Sequence, residues 1–153
     1  MRAVIQRVKN ASVQINGNTV GKCGMGYMIL FCAVDGDTTD DIELLAKKTA
    51  NLRVFEDENG KMNKSILDID GEVLCISQFT LAADTKKGNR PSFINAMEPI
   101  TAEKYYSMYC DALKTNGVKS VETGEFGADM QVSLVNDGPV TIIFDTDVWN
   151  KKG

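Results

Sequence analysis

Asn136-Asp137-Gly138-Pro139-Val140-Thr141 separates two strongly alternating apolar runs, residues 130–135 and 140–145, near the C-terminus. Alternation at period two predicts a strand on each side. Pro139 has no N–H to give to a ladder and its φ is locked, while Gly138 reaches backbone conformations closed to other residues. Two uses are open to the dipeptide: an ordinary hairpin turn, or a rigid element that fixes the direction of the Gly138 and Pro139 carbonyls. The second is sharpest if the peptide bond is cis, as roughly 5–6% of X-Pro bonds are.

Outward from this stretch, residues 2–8 and 11–15 read as strands, Asn16-Gly17 as a tight type I′ turn, and residues 19–23 as the returning strand. Residues 27–34 are almost wholly apolar, the pattern of a central strand covered on both faces. Residues 38–52 predict a helix: Ile42, Leu45, Ala46, Thr49 and Leu52 recur at helical spacing and Thr38 or Thr39 supplies a cap. Residues 53–55 and 64–68 predict short strands around the polar turn at 57–60, and residues 72–81 a longer one. Loop chemistry then runs over 84–99, with Gly88, Pro91 and Pro99. A second helix starts near Thr101 and stops at Asn116-Gly117. Its tyrosines, Tyr105, Tyr106 and Tyr109, share one face, a spacing more typical of core than of a stacking platform. The expected architecture is α+β: a mostly antiparallel, curved or barrel-like sheet with two main helices packed on it, in a single domain over 1–153.

Composition narrows the chemistry. Of 153 residues none is histidine, which removes the usual general base near neutral pH and the commonest metal ligand, and with them any Ser-His-Asp or Cys-His arrangement. Cys23, Cys32, Cys75 and Cys110 lie far apart with no Cys-x-x-Cys pair, so they read as buried reduced thiols and no metal or cofactor is expected. Gln6 and Arg7 break the apolar residues of the first segment, no run approaches a membrane span, and the expected location is cytoplasmic. The net charge of -4 requires any nucleic-acid partner to be met by a local basic patch.

Within the run ending at Leu81, Ser77-Gln78-Phe79-Thr80 places three polar side chains where a buried strand would stay apolar. One reading makes Ser77 or Thr80 a nucleophile, a second has their hydroxyls cap the strand end, and a third uses the backbone: a strand ending in a turn aims successive N–H groups at a developing oxyanion without any titrating side chain. The absence of histidine favours the third. Gln78 can orient a carbonyl or a water through its amide. Lys86, Lys87 and Arg90 form the only dense basic cluster, either a phosphate contact or a solvated loop. Phe126, between Gly124 and Gly127, is a base-stacking candidate or a core aromatic.

These residues together resemble the D-aminoacyl-tRNA deacylase family. The resemblance covers nearly the whole chain and is carried by the opening Met1-Arg2-Ala3-Val4-Ile5-Gln6-Arg7-Val8, by Ser77-Gln78-Phe79-Thr80-Leu81, by Lys87-Gly88-Asn89-Arg90-Pro91-Ser92-Phe93 and by Asn136-Asp137-Gly138-Pro139-Val140-Thr141. It implies hydrolysis of the ester that joins a D-amino acid, or mischarged glycine, to tRNA. It also implies a homodimer in which the Gly138-Pro139 turn enters the partner's pocket beside residues 77–80 and acts as a chiral screen. Arg7 would hold that turn, Ala102 would line the pocket, and Phe126 and Met130 would lie near the terminal adenosine. The 2′-OH of the terminal ribose would assist proton transfer while backbone N–H groups around Phe79 and Thr80 meet the oxyanion. Ala82 departs from the larger residue expected of many relatives, which bears on pocket shape. The alternative is a non-catalytic nucleic-acid-binding module.

Overall fold

The computed structural model describes residues 1–150. Its axis is β1 (Arg2–Ile15), one 14-residue strand that merges the two predicted at 2–8 and 11–15. Along one edge it pairs antiparallel with β8 (Gln131–Asp145); along the other it pairs first with β3 (Gly26–Cys32) and then with β2 (Asn18–Cys23). β6 (Glu72–Ser77) and β7 (Ser120–Thr123) complete the order β2-β1-β3-β6-β7, and β4 (Phe55–Glu56) and β5 (Met62–Lys64) form a separate hairpin.

The sheet is mixed, which corrects the mostly antiparallel expectation. β3 pairs parallel with β6, and β6 parallel with β7. Each of these steps contains a helix: α1 (Thr39–Asn51) lies between β3 and β6, and α2 (Pro99–Thr115) between β6 and β7. Parallel neighbours need such a crossover, so the helices dictate the strand direction. The sheet then curls until β2 nears β7. A methyl group on Gly21 would lie 2.5 Å from the Thr123 carbonyl oxygen, so this close approach is open only to glycine.

Alternation along β3 divides the interior in two. Tyr27, Ile29 and Phe31 face the helices with Ala3, Ile5, Ile42, Leu45, Tyr109 and Leu113, while Met28 faces the concave side with Val8, Val13, Leu74 and Ile76. Both faces are covered, as the unbroken apolar run requires. Tyr106 and Tyr109 are buried, and the Tyr109 ring stacks on Phe31 at 4.8 Å, consistent with the core reading of that tyrosine face. The Tyr109 hydroxyl lies 2.9 Å from Thr49 Oγ1, and that hydroxyl in turn donates to the Leu45 carbonyl at 2.8 Å, so one buried hydrogen bond joins α1 to α2. Tyr109→Phe is expected to cost about 1 kcal/mol, because Thr49 keeps its own acceptor. A lower urea midpoint at unchanged slope would report it.

Three local expectations change. Residues 65–70 form a turn, not a strand, because the Asp68 carboxylate accepts the Ser65 N–H at 2.8 Å and Ser65 Oγ accepts the Asp68 N–H at 3.3 Å. The strand predicted over 72–81 stops at Ser77, and Phe79–Ala82 turns into a 3-10 helix. A short third helix, α3 (Thr146–Asn150), follows β8; its buried Thr146 takes the Met1 ammonium at 3.0 Å. No helix among the described residues is long and apolar enough to cross a membrane.

The opening motif is not a hairpin. Residues on both sides of it pair with the same strand in the same direction, Asn136 opposite Val8 and Thr141 opposite Gln6. Asp137, Gly138, Pro139 and Val140 therefore bulge out opposite Arg7 alone. The Gly138–Pro139 peptide is cis. Gly138 has φ +136°, and a Cβ there would meet the Val140 backbone nitrogen at 2.9 Å, which explains glycine at this position.

Candidate active site

A cavity of about 420 Å³ opens where the parallel strands β3 and β6 end. Carboxyl ends of parallel strands commonly collect ligands, because the chain turns away there and leaves a crevice. Phe31, Cys32 and Ala33 come from the end of β3, Ser77, Gln78 and Phe79 from the end of β6, and Glu98, Pro99 and Ala102 from the start of α2. Phe93, Ala96, Met97, Phe126 and Gly127 complete the wall, which is mostly apolar. A smaller cavity of about 250 Å³ shares Ser77, Gln78, Phe79, Phe126 and Gly127 and adds Ile76, Ala128, Asp129, Met130 and Val132.

Between the two lies the feature with the clearest chemical use. The Gln78 N–H closes the sheet by donating to the Phe31 carbonyl at 2.7 Å. The 3-10 turn then begins, with Leu81 N–H returning to the Gln78 carbonyl at 3.2 Å and Ala83 N–H to the Thr80 carbonyl at 3.1 Å. The first N–H groups of any helical turn have no partner inside it. Here those are Phe79 and Thr80, and no acceptor among the described residues meets either. Two successive backbone donors are thus left unpartnered, that of Phe79, which lines both cavities, and that of Thr80 next to it, a type of pair that can serve an oxygen that gains charge.

The side chains offer less. Gln78 Nε2 donates to Thr80 Oγ1, and Thr80 itself is exposed and lines neither cavity. Among the described residues no titrating group hydrogen-bonds the Ser77 hydroxyl, and the carboxylate of Glu98, which shares the cavity wall, is engaged by the start of α2. Cys32, on the cavity wall, donates its thiol weakly to the Ala33 and Phe79 carbonyls at 3.5 and 3.6 Å, and burial pushes its pKa up. Burial also pushes Cys23 up to about 11 and raises Cys75 well above the usual thiol range. All four cysteines are buried and unpaired. A thiol reagent at pH 7.5 is therefore expected to label none of them in the native protein and four per chain after denaturation, read by absorbance.

Glu98 escaped the sequence reading. It caps α2, accepting from Ile100 N–H at 2.8 Å and Thr101 N–H at 3.1 Å, and these bonds hold its carboxyl below the usual range. The cue was present in Glu98-Pro99-Ile100-Thr101, an acceptor followed by proline at the first helical position. Phe93 was visible only as part of a motif; it meets Phe79 edge-on at 5.1 Å. Among the described residues no three His, Cys, Asp or Glu side chains are grouped to hold a metal ion.

The cavities bring together Ser77, Gln78, Phe79, Ala102, Phe126 and Met130. Lys86, Lys87 and Arg90 lie apart on an exposed loop pinned at its base by reciprocal Asp84–Ser92 bonds of 2.7 and 2.9 Å. Gly138 and Pro139 are also exposed and line neither cavity. Ser77 is level with Phe31 and Ala3, whereas the bulge is level with Arg7. At usual strand dimensions that separation is roughly 13 Å along the strands and roughly 14 Å across the three spacings from β6 to β8. Behind the bulge Arg7 is only 6% exposed; its Nε donates to the Asp137 carbonyl at 3.0 Å and its Nη1 to the Val54 carbonyl at 2.6 Å.

Fold and site together define a small α+β protein with a largely apolar cavity beside a turn whose first two N–H groups have no partner among the described residues. The chain belongs to the D-Tyr-tRNA(Tyr) deacylase family, whose model matches residues 4–145. It is 56% identical over 146 residues to a D-aminoacyl-tRNA deacylase of Thermosipho africanus, covering 95% of this chain and 97% of that one. To the protein of the same description from Clostridium novyi it is 53% identical with the same coverage. Among solved structures, a c-Myc DNA Unwinding Element Binding Protein matches with TM-score 0.89 and 44% identity over 95% of this chain and 98% of the other. A probable eukaryotic D-amino acid tRNA deacylase, 16% identical, shares the fold at TM-score 0.79 over 94% and 97%.

Proposed function

We propose that this chain hydrolyses the ester of D-aminoacyl-tRNA, and of mischarged glycyl-tRNA, releasing amino acid and tRNA and so proofreading chirality in translation. The observation that carries the mechanism is the pair of unpartnered N–H groups of Phe79, which lines both cavities, and of its neighbour Thr80. The 3′ end of the aminoacyl-tRNA occupies the two cavities, with the terminal adenosine near Phe126 and Met130 and the ester carbonyl oxygen facing the two donors. Water attacks the carbonyl carbon, the oxyanion is met by the backbone, and the 2′-OH of the terminal ribose relays the proton to the leaving 3′ oxygen. RNA supplies the hydroxyl that relays the proton, which restricts the reaction to ribose.

Chiral selection follows from a second copy. The bulge is too far from its own cavity to reach it, so a homodimer is proposed in which Gly138 and Pro139 of one protomer enter the cavity of its partner. Their carbonyls accept from the amino group of a D-residue, and the same rigid turn collides with the side chain of an L-residue; rejection by clash needs no attraction to the correct substrate. Glycine, with no side chain, passes. Lys86, Lys87 and Arg90 meet tRNA phosphates, each protomer acts as one domain, and the reaction takes place in the cytoplasm.

Side-by-side deacylation of D-aminoacyl-, L-aminoacyl- and glycyl-tRNA tests the reading. Fast cleavage of the D- and glycyl esters with the L-ester spared is expected; equal rates, or an intact D-ester, would overturn it. The DNA-binding description of one structural relative makes duplex and single-stranded DNA the control ligands. Tight, steeply salt-dependent binding without hydrolysis would favour the binding-module alternative, against which the net charge of -4 stands.

A further inference from the structure

We infer that Asn136 is a positioning residue that sets the direction of the Gly138 and Pro139 carbonyls; the inference rests on the chiral screen proposed above. In a regular antiparallel ladder the Arg7 carbonyl would accept from a backbone N–H of β8, but the four-residue bulge removes that donor. Asn136 replaces it. Its Nδ2 donates to the Arg7 carbonyl at 2.9 Å and also to the Val140 carbonyl at 2.9 Å, one bond across to β1 and one across the mouth of the bulge. Both partners are carbonyl oxygens, which only accept, so the orientation of the amide is settled by its surroundings.

The two protons of one planar NH2 group thus tie together the start of the bulge, its end and the opposite strand. Arg7 holds the same loop from behind through the Asp137 carbonyl. Within the loop, Gly138 and Pro139 are exposed and no side chain among the described residues hydrogen-bonds their carbonyls, although Arg7 and Val140 crowd the Gly138 Cα; the carbonyl directions therefore follow from the clamps at Asn136 and Arg7. No other side chain of similar size does this work. Aspartate would set acceptors against two acceptors, and a serine hydroxyl has a single proton and a shorter reach.

The test uses the full chain. Asn136→Asp and Asn136→Ala are assayed on D- and L-aminoacyl-tRNA carrying the same amino acid, beside wild type. The D:L ratio of kcat/KM is expected to fall about tenfold or more in both, the scale set by losing two modest hydrogen bonds that hold the selector. The D-ester should show a larger rise in KM than fall in kcat, because the oxyanion donors are untouched. A D:L ratio within about twofold of wild type in both variants would overturn the inference. Where a variant does not fold, wild-type protein still decides: by NMR, both side-chain amide protons of Asn136 should exchange with water far more slowly than those of the exposed Asn59. Equally fast exchange would overturn the clamp. An intact D-ester with wild-type enzyme would instead overturn the proposed function, and the amide exchange would then report on the clamp alone.

Discussion

Phe79→Pro should lower kcat for D-aminoacyl-tRNA about 10²–10³-fold relative to Phe79→Ala, the usual loss when one oxyanion donor is removed. The comparison centres on the N–H, with the pyrrolidine ring the other difference between the two variants. Both substitutions delete the aromatic ring, which is 58% exposed and touches Phe93, but only proline also deletes the N–H. The fold tolerates the change for local reasons. Phe79 is the first residue of the 3-10 turn, where proline's fixed φ suits the helix and the missing N–H has no partner to lose. Gln78, with φ -145° and ψ 79°, is already outside the helical region that a following proline disfavours. Thermal melting of the two variants should therefore agree closely while kcat separates. Thr80→Ala serves as the opposite control, since it removes a hydroxyl and keeps both donors. It is expected to retain most of the activity, and a loss as large as that of Phe79→Pro would restore Thr80 as a nucleophile and remove the backbone mechanism.

Arg7→Ala should act on stability and on selectivity together. Its guanidinium satisfies the carbonyls of Val54 and Asp137, and Val54 is itself buried, so truncation leaves acceptors without donors in a site that water reaches poorly. Roughly 2–4 kcal/mol of stability is expected to be lost, from two orphaned acceptors and the packing of the aliphatic stem. The lower urea midpoint gives this quantity. The bulge would also lose its support from behind, so the D:L ratio should fall at least about tenfold even under conditions where the variant is fully folded. Lysine is a poor substitute because a single ammonium cannot span two carbonyls in different directions as the guanidinium fork does. An Arg7→Ala protein that kept wild-type selectivity would show that the loop is self-supporting and would remove Arg7 from the screen.

Much of the candidate site was legible because it consists of residues at odds with their surroundings. Ser77-Gln78-Phe79-Thr80 stood out as polar residues closing an apolar strand, and the structure breaks the strand there and opens the cavity. Gly138-Pro139 stood out as a ladder breaker between two clean strand patterns. The absence of histidine favours the backbone as the source of catalytic donors, a reading that needs no tertiary geometry. Glu98, Met97 and Phe93 were harder, since each is an unremarkable residue in a polar loop until α2 is docked beside the ends of β3 and β6.

Local chemistry by itself determined the elements of this protein: period-two and helical spacing, caps, and turn residues depend on neighbours a few positions away, so α1, β3 and the core face of α2 follow from the sequence. Family membership also followed, since its motifs are short and contiguous. Strand direction, and the fate of the Gly138-Pro139 stretch, depended on partners far along the chain. Only the folded sheet shows that β3, β6 and β7 run parallel across two helical crossovers. Only the register against β1 shows that residues 130–135 and 140–145 are one strand with a bulge and not the two arms of a hairpin. Pairing energy is collected between strands, not within them, and a one-strand pattern is the same whether its continuation turns back or carries on.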